Sequence, residues 1–132
     1  MEKKFINPES IHTPRGYTHV TEVRDGRMLF VSGQVALDKE GQLVGRGDLK
    51  AQAHQAMENL AAALKGAGGS LADVIKMNTY VVNYQQDDYR AIAEVRREFF
   101  ARENPPASTL IGVAALAVEG LLIEIEAVAA LP

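Results

Sequence analysis

Pro106-Ala107-Ser108-Thr109-Leu110-Ile111-Gly112-Val113, followed closely by Leu122-Ile123-Glu124-Ile125-Glu126, is the part of the chain on which its reading turns. Asn104-Pro105-Pro106 precedes the first run and Glu119-Gly120 precedes the second. Aliphatic runs bounded by such turn formers predict two strands, over 109–115 and 121–129. The second run alternates aliphatic side chains with carboxylates. A carboxylate flanked by Leu and Ile on an inner strand is costly unless it is hydrogen-bonded, partly solvated or used. Glu124 is therefore the candidate acid, with the hydroxyls of Ser108 and Thr109 as candidate partners. A second reading stays open at this point: alternation alone turns Glu124 and Glu126 to a wet strand face, and the two hydroxyls satisfy backbone groups at a strand start.

Outward from this stretch, the remaining elements follow from periodicity and punctuation. Asn104-Pro105-Pro106 ends a helix expected over 89–102, with Asp87 or Asp88 as its cap and Tyr89, Ile92, Val95 and Phe99/Phe100 on its apolar stripe. Within it Arg96-Arg97 and Arg102 alternate with Glu94, Glu98 and Glu103, which reads as a solvated helix face. Upstream, 74–83 alternates Ile75/Met77/Thr79/Val81 against Lys76/Asn78/Tyr80/Val82, as a half-buried strand does. Asp48 can cap a helix running to about Leu64, whose Leu49, Ala53, Ala56/Met57, Leu60 and Leu64 recur at helical spacing. Gly66-Ala67-Gly68-Gly69 stops that helix. A phosphate-loop reading of these glycines fails, since no lysine follows and the run closes a helix. Asp25-Gly26 signals a hairpin between strands at 17–23 and 28–31. Residues 38–47 read as an exposed loop with a small hairpin at Glu40-Gly41. The order ββαβαββ, in one domain spanning 1–132, predicts an α+β fold with two helices on one face of a mixed sheet. The other face carries Val, Ile, Leu and Met and calls for cover, so self-association is expected.

Composition excludes several classes of function. With no cysteine among 132 residues there is no disulfide, thiolate nucleophile or Cys-ligated metal. A formal net charge of −3 and scattered basic residues argue against nucleic acid as a partner. No apolar run is long enough to span a bilayer and no leader-like segment opens the chain, so no membrane partner and a cytoplasmic location are expected. His12, His19 and His54 show no ligand spacing with one another or with carboxylates, so neither a metal nor any other cofactor is expected. No serine sits in a nucleophile elbow.

Several segments together resemble the RidA/YjgF family of enamine/imine deaminase-like proteins. They are Gly16-Tyr17, Met28-Leu29-Phe30-Val31-Ser32-Gly33-Gln34, Gln52 with Asn59-Leu60, Lys76-Met77-Asn78-Thr79-Tyr80-Val81, Glu98-Phe99-Phe100, Pro106-Ala107-Ser108-Thr109 and Ile123-Glu124-Ile125-Glu126-Ala127. The resemblance implies a chorismate-mutase-like fold and a homotrimer with small-molecule pockets between subunits. Tyr17 would line the pocket from a neighbouring subunit, Ser32 and Gly33 would supply polar contacts, and Glu124 would orient water. Three positions depart from the family pattern. Ser108 stands where an arginine that grips the substrate carboxylate is typical, Leu110 where a cysteine is frequent, and Ala93 where some members have an asparagine.

The first departure alters the chemistry. Arginine holds a carboxylate through paired charged hydrogen bonds. A serine offers one neutral bond, a loss on the order of 1–2 kcal/mol, or roughly tenfold in affinity. A 2-imino acid is therefore a poor expected substrate, and a neutral or cationic imine a better one. Arg15, beside Gly16-Tyr17, is the first candidate for a substitute cation. The alternative expectation is a non-catalytic, ligand-binding or chaperone-like trimer.

Overall fold

In the computed structural model, which describes residues 1–132, six strands and two helices build the domain. Strand β3 (Arg27–Val35) leads through helix α1 (Leu49–Gly66) and a single 3-10 turn (Leu71–Asp73) to β4 (Val74–Val82). From β4 the chain passes through helix α2 (Asp88–Phe99) to β5 (Ala107–Val113), which pairs parallel to β4. The last strand, β6 (Ile123–Leu131), slots antiparallel between β3 and β4, giving the sheet order β3-β6-β4-β5. Two such crossovers set both helices on one face of the sheet. The strand carrying both carboxylates of the Ile-Glu-Ile-Glu run is thus central, and its neighbours on both sides fix which way each residue points.

One hydrophobic cluster lies between the helices and the sheet: Ala53, Ala56, Met57, Leu60 and Leu64 of α1, Ile92 and Val95 of α2, Met77 and Val81 of β4, and Ile123, Ile125 and Ala127 of β6 among others. The α1 stripe is the one its sequence predicts. Asp48 caps it, accepting from the Ala51 N–H at 3.0 Å, and its end closes through the Gly69 N–H on the Leu64 carbonyl at 2.8 Å. The strand readings at 74–83, 109–115 and 121–129 hold as Val74–Val82, Ala107–Val113 and Ile123–Leu131, displaced by up to two residues.

The amino-terminal third departs from expectation. Glu2–Ile6 forms a strand, β1, that the sequence pattern does not anticipate, and pairs antiparallel with β2 (Val20–Arg24) in a separate two-stranded sheet. Asp25 and Gly26 do adopt the positive φ values, 59° and 115°, of a tight hairpin turn. They join strands of two different sheets, because β2 has taken β1 as its partner and β3 has taken β6. Tyr17 and His19, expected on a strand, lie in the preceding loop. No helix is long and apolar enough to cross a membrane.

Candidate functional site

Alternation along the central strands assigns each side chain to a face. On β4, Met77, Thr79 and Val81 are buried under the helices, and Lys76, Asn78 and Tyr80 point to the uncovered side. On β6, Ile123, Ile125 and Ala127 are buried, and Glu124, Glu126 and Val128 point to the uncovered side. The register sets Asn78 opposite Glu126 and Tyr80 opposite Glu124. On β5 it sets Thr109 opposite Asn78 and Ile111 opposite Tyr80. The open face therefore gathers a polar cluster, bordered by exposed Met28, Phe30 and Ile111. Phe30 is 79% exposed, far more than a globular surface ordinarily leaves an aromatic ring.

Within this cluster the two carboxylates differ. Glu126 accepts from the Tyr80 hydroxyl at 2.5 Å and from the Asn78 amide at 3.1 Å. Those two donors, Tyr80 foremost, hold the Glu126 carboxyl below the usual carboxylate range, against an opposing effect of burial. The same bond raises the Tyr80 phenol above its ordinary value, with burial and the charges of Glu126 and Glu124 adding to it. Glu124 receives no hydrogen bond from the chain. Its side chain lies instead across the backbone of Gly33, where an added Cβ would overlap the carboxylate. The strand pairing makes this possible: between Val31 and Gln34 the β3–β6 register shifts, bulging β3 at Ser32-Gly33 beside the carboxylates. Ser32 and Lys76 line a shallow open-face depression of about 360 Å³ with Phe30, Asn78 and Glu126. Lys76 shares this face and donates to the Thr109 hydroxyl at 2.9 Å.

The other sequence-derived candidates lie elsewhere in the subunit. The register pairs Ser108 with Met77 and Leu110 with Thr79, so both share the helix-covered side of the sheet, and Leu110 packs on the core. Only Thr109 of that trio shares a face with Glu124. Tyr17 sits in the loop before β2, its hydroxyl 2.7 Å from the His12 ring and its own ring edge-on to His19. That loop is fastened to the start of β5: the Thr18 N–H donates to the Pro106 carbonyl at 3.2 Å and the Thr18 hydroxyl to the Pro105 carbonyl. Arg15 and Ala93 border a separate cleft beside α2, shared with Arg96, Arg97 and Arg102. One subunit thus brings together Glu124, Ser32, Gly33 and Thr109, and holds Ser108, Leu110, Tyr17 and Arg15 apart from them.

Two further side chains shape the open face from behind. Gln52, fully buried on α1, donates to the Gly45 and Gly120 carbonyls at 3.2 and 2.9 Å and accepts from the Leu122 N–H at 2.8 Å. It fixes the entry into β6 two residues before Glu124. Asn59, two turns on, donates to the Val35 and Leu37 carbonyls at 2.8 and 2.9 Å and fixes the exit from β3 after the bulge. Tyr80 and Asn78 were legible only as alternate residues of a strand. Their role emerges once β6 is known to lie beside β4.

Comparison with known proteins gives consistent matches. The sequence model of the family described as Endoribonuclease L-PSP matches residues 8–131. A RutC family protein of Pyrococcus horikoshii is 38% identical over 96% of this chain and 97% of its own length. A human protein named 2-iminobutanoate/2-iminopropanoate deaminase is 38% identical over 78% of this chain and 72% of its own. Among solved structures, a protein of unknown function of the Rid family, YyfB from Yersinia pestis, superposes with a TM-score of 0.92 at 44% identity, covering 99% of this chain and all of that one.

Proposed function

The chain belongs to the RidA/YjgF family, and from that premise we propose that it binds a small imine or enamine and hydrolyses it to a carbonyl compound and ammonia. The observation that carries this reading is Glu124: a half-buried carboxylate with no partner in the chain, lying across a glycine bulge beside a second carboxylate that is already hydrogen-bonded. A free carboxylate can hold a water and act on it. Glu126, committed to Tyr80 and Asn78, is less able to take a proton.

Hydrolysis of C=N requires water to add to carbon and a proton to reach nitrogen. Glu124 accepts a proton from the attacking water and passes it to nitrogen as the carbinolamine forms. It then takes the carbinolamine hydroxyl proton and delivers it to the same nitrogen as the C–N bond breaks and ammonia departs. Gly33 leaves room for the Glu124 carboxylate itself, and Ser32 and Thr109 offer hydroxyls at the edge of the cluster. Two carboxylates on one face favour a neutral or cationic imine over a 2-imino acid. The human relative is named for 2-imino acids, so a preference for neutral substrates would set this chain apart from it.

The uncovered face supports association of copies. At about 25 cal/mol per Å² of apolar surface, covering Met28, Phe30 and Ile111 is worth several kcal/mol, and in the proposed homotrimer this contact closes the pocket, with Tyr17 entering from a neighbour. Ammonia release from a neutral ketimine and from 2-aminoacrylate, each measured against buffer alone, tests the reading. Glu124→Gln is expected to lower kcat/KM at least about 10²-fold with the assembly intact. Ammonia release by the wild-type protein at the buffer rate on both compounds would end it.

A further inference from the structure

Helix α2 sorts its charges. Its acids face α1: Glu94 accepts from Lys50 at 2.9 Å, and Glu98 lies 3.4 Å from the His54 ring. The alternation of Arg and Glu that reads from sequence as a self-neutralising solvated face is therefore divided in space. Of its three arginines, Arg96 and Arg97 border the Gly16 loop, where Arg15 and Arg102 join them around a cleft of about 510 Å³. Beside the dominant Lys50 contact, the charges of Arg97 and Arg90 also help hold Glu94 low. None of these four arginines makes an ion pair, and Glu103, the remaining acid nearby in sequence, pairs with none of them.

Arg96 is the least comfortable of the four. It is half-buried, and burial pulls its pKa below the ordinary arginine value. It remains charged, because a guanidinium does not deprotonate in proteins. Its single hydrogen bond is a 3.5 Å contact to the Gly16 carbonyl, which leaves most of its five donors unused. A partly desolvated cation with a single long hydrogen bond is costly until an anion joins it. The rest of the lining is apolar or aromatic: Tyr89, Ala93, Phe100, Ala101 and Pro105. The volume lies within the range of small-molecule sites. The loop wall is not loose, since the Thr18 bonds to Pro105 and Pro106 tie it to the start of β5.

We infer that this cleft is a binding site for a small organic anion, whose carboxylate or phosphate head is taken by Arg96 with Arg15, Arg97 and Arg102 at the rim and whose apolar body lies against Tyr89 and Phe100. The site does not depend on the Glu124 reading: it is built from α2 and two loops, and it selects the charge that the open face repels. Benzoate and phenyl phosphate are the probes, with benzyl alcohol as the uncharged control, each titrated calorimetrically into the intact protein at low salt. Both anions are expected to bind at least tenfold more tightly than benzyl alcohol, and the tighter of the two assigns the head group as carboxylate or phosphate. Arg96→Gln is expected to remove about tenfold or more of that affinity. Ala93→Leu, which keeps all four charges and fills the cleft, is expected to weaken binding equally, and it decides the matter if Arg96→Gln proves too unstable to titrate. Anions binding no better than benzyl alcohol, or binding unchanged in both variants, would overturn the assignment.

Discussion

The open sheet face and the α2 cleft are both polar sites on one small domain, yet they are built in opposite ways. The open face is a product of strand register. Glu124, Glu126, Asn78 and Tyr80 sit where three neighbouring ladders place them, and Gln52 and Asn59 pin the ends of β6 and β3 from the helix side. Its charges are partly answered, Glu126 by two donors and Lys76 by the Thr109 hydroxyl. The cleft is a product of loops and one helix, its lining holds no carboxylate, and none of its four arginines makes an ion pair. Precision without surplus charge suits a site that positions water. Surplus charge at a half-buried guanidinium suits a site that waits for an anion. The chain builds the two regions by putting acids on alternate residues of a central strand and arginines beside the Gly16 loop on a helix.

The contrast breaks most readily at Phe30. If the open face is covered by other copies and the cleft is not needed for assembly, Phe30→Asp plants an unpaired charge in the contact, at a cost of several kcal/mol per subunit. Sedimentation at micromolar concentration should then find three subunits for the wild type and one for the variant. A wild-type monomer, or a variant that stays trimeric, would leave the open face without the cover the proposed chemistry needs.

Much of the fold is legible in the sequence, because the signals that carry it are local. Asp48, the helical spacing from Leu49 to Leu64, the glycines at 66–69 and the strict alternation of 74–82 each specify their own element. The amino-terminal strand is not legible: Glu2–Ile6 has one charged end and too few residues for a pattern, and its pairing with Val20–Arg24 is decided by which strands β6 leaves unpartnered. The candidate site divides the same way. Glu124 stands out as a carboxylate between Ile123 and Ile125. The partners of Glu126 do not, since Tyr80 and Asn78 lie some 46 and 48 residues away in sequence. The arginine cleft is misread because Glu94 and Glu98, its apparent counter-charges, are claimed by Lys50 and His54 on another helix.

A smaller perturbation asks how far the open face depends on its buried supports. Gln52→Ala leaves the Leu122 N–H and the Gly45 and Gly120 carbonyls without their side-chain partner, and the site is too enclosed for water to serve all three. The expected loss is about 2–4 kcal/mol of unfolding free energy, measured by urea titration at an unchanged m-value. Because the damage falls at the entry to β6, any imine turnover should drop with it, and anion binding in the cleft should not. Equal losses in both would mean that the two regions are not mechanically separate.

The subtlest test concerns protonation on the open face. Glu126 is held low by Tyr80 and Asn78, so its contribution to stability is present above the unfolded carboxylate value, near pH 4, and disappears as pH falls through the lower folded value. Tyr80 is raised, so its contribution is present below about pH 10 and disappears as pH rises through the higher folded value. The pair therefore stabilises across the whole neutral range. Tyr80→Phe removes the first and larger cause of the Glu126 shift and leaves the Asn78 amide in place. The Glu126 carboxyl should titrate higher than in the wild type by carbon-13 NMR, while still below an ordinary glutamate. The melting temperature of Tyr80→Phe should fall below the wild type's at pH 7, and the gap should narrow as pH drops below the folded value of Glu126. An unmoved Glu126 titration would show that the short Tyr80 contact carries no weight in holding Glu126 apart from Glu124.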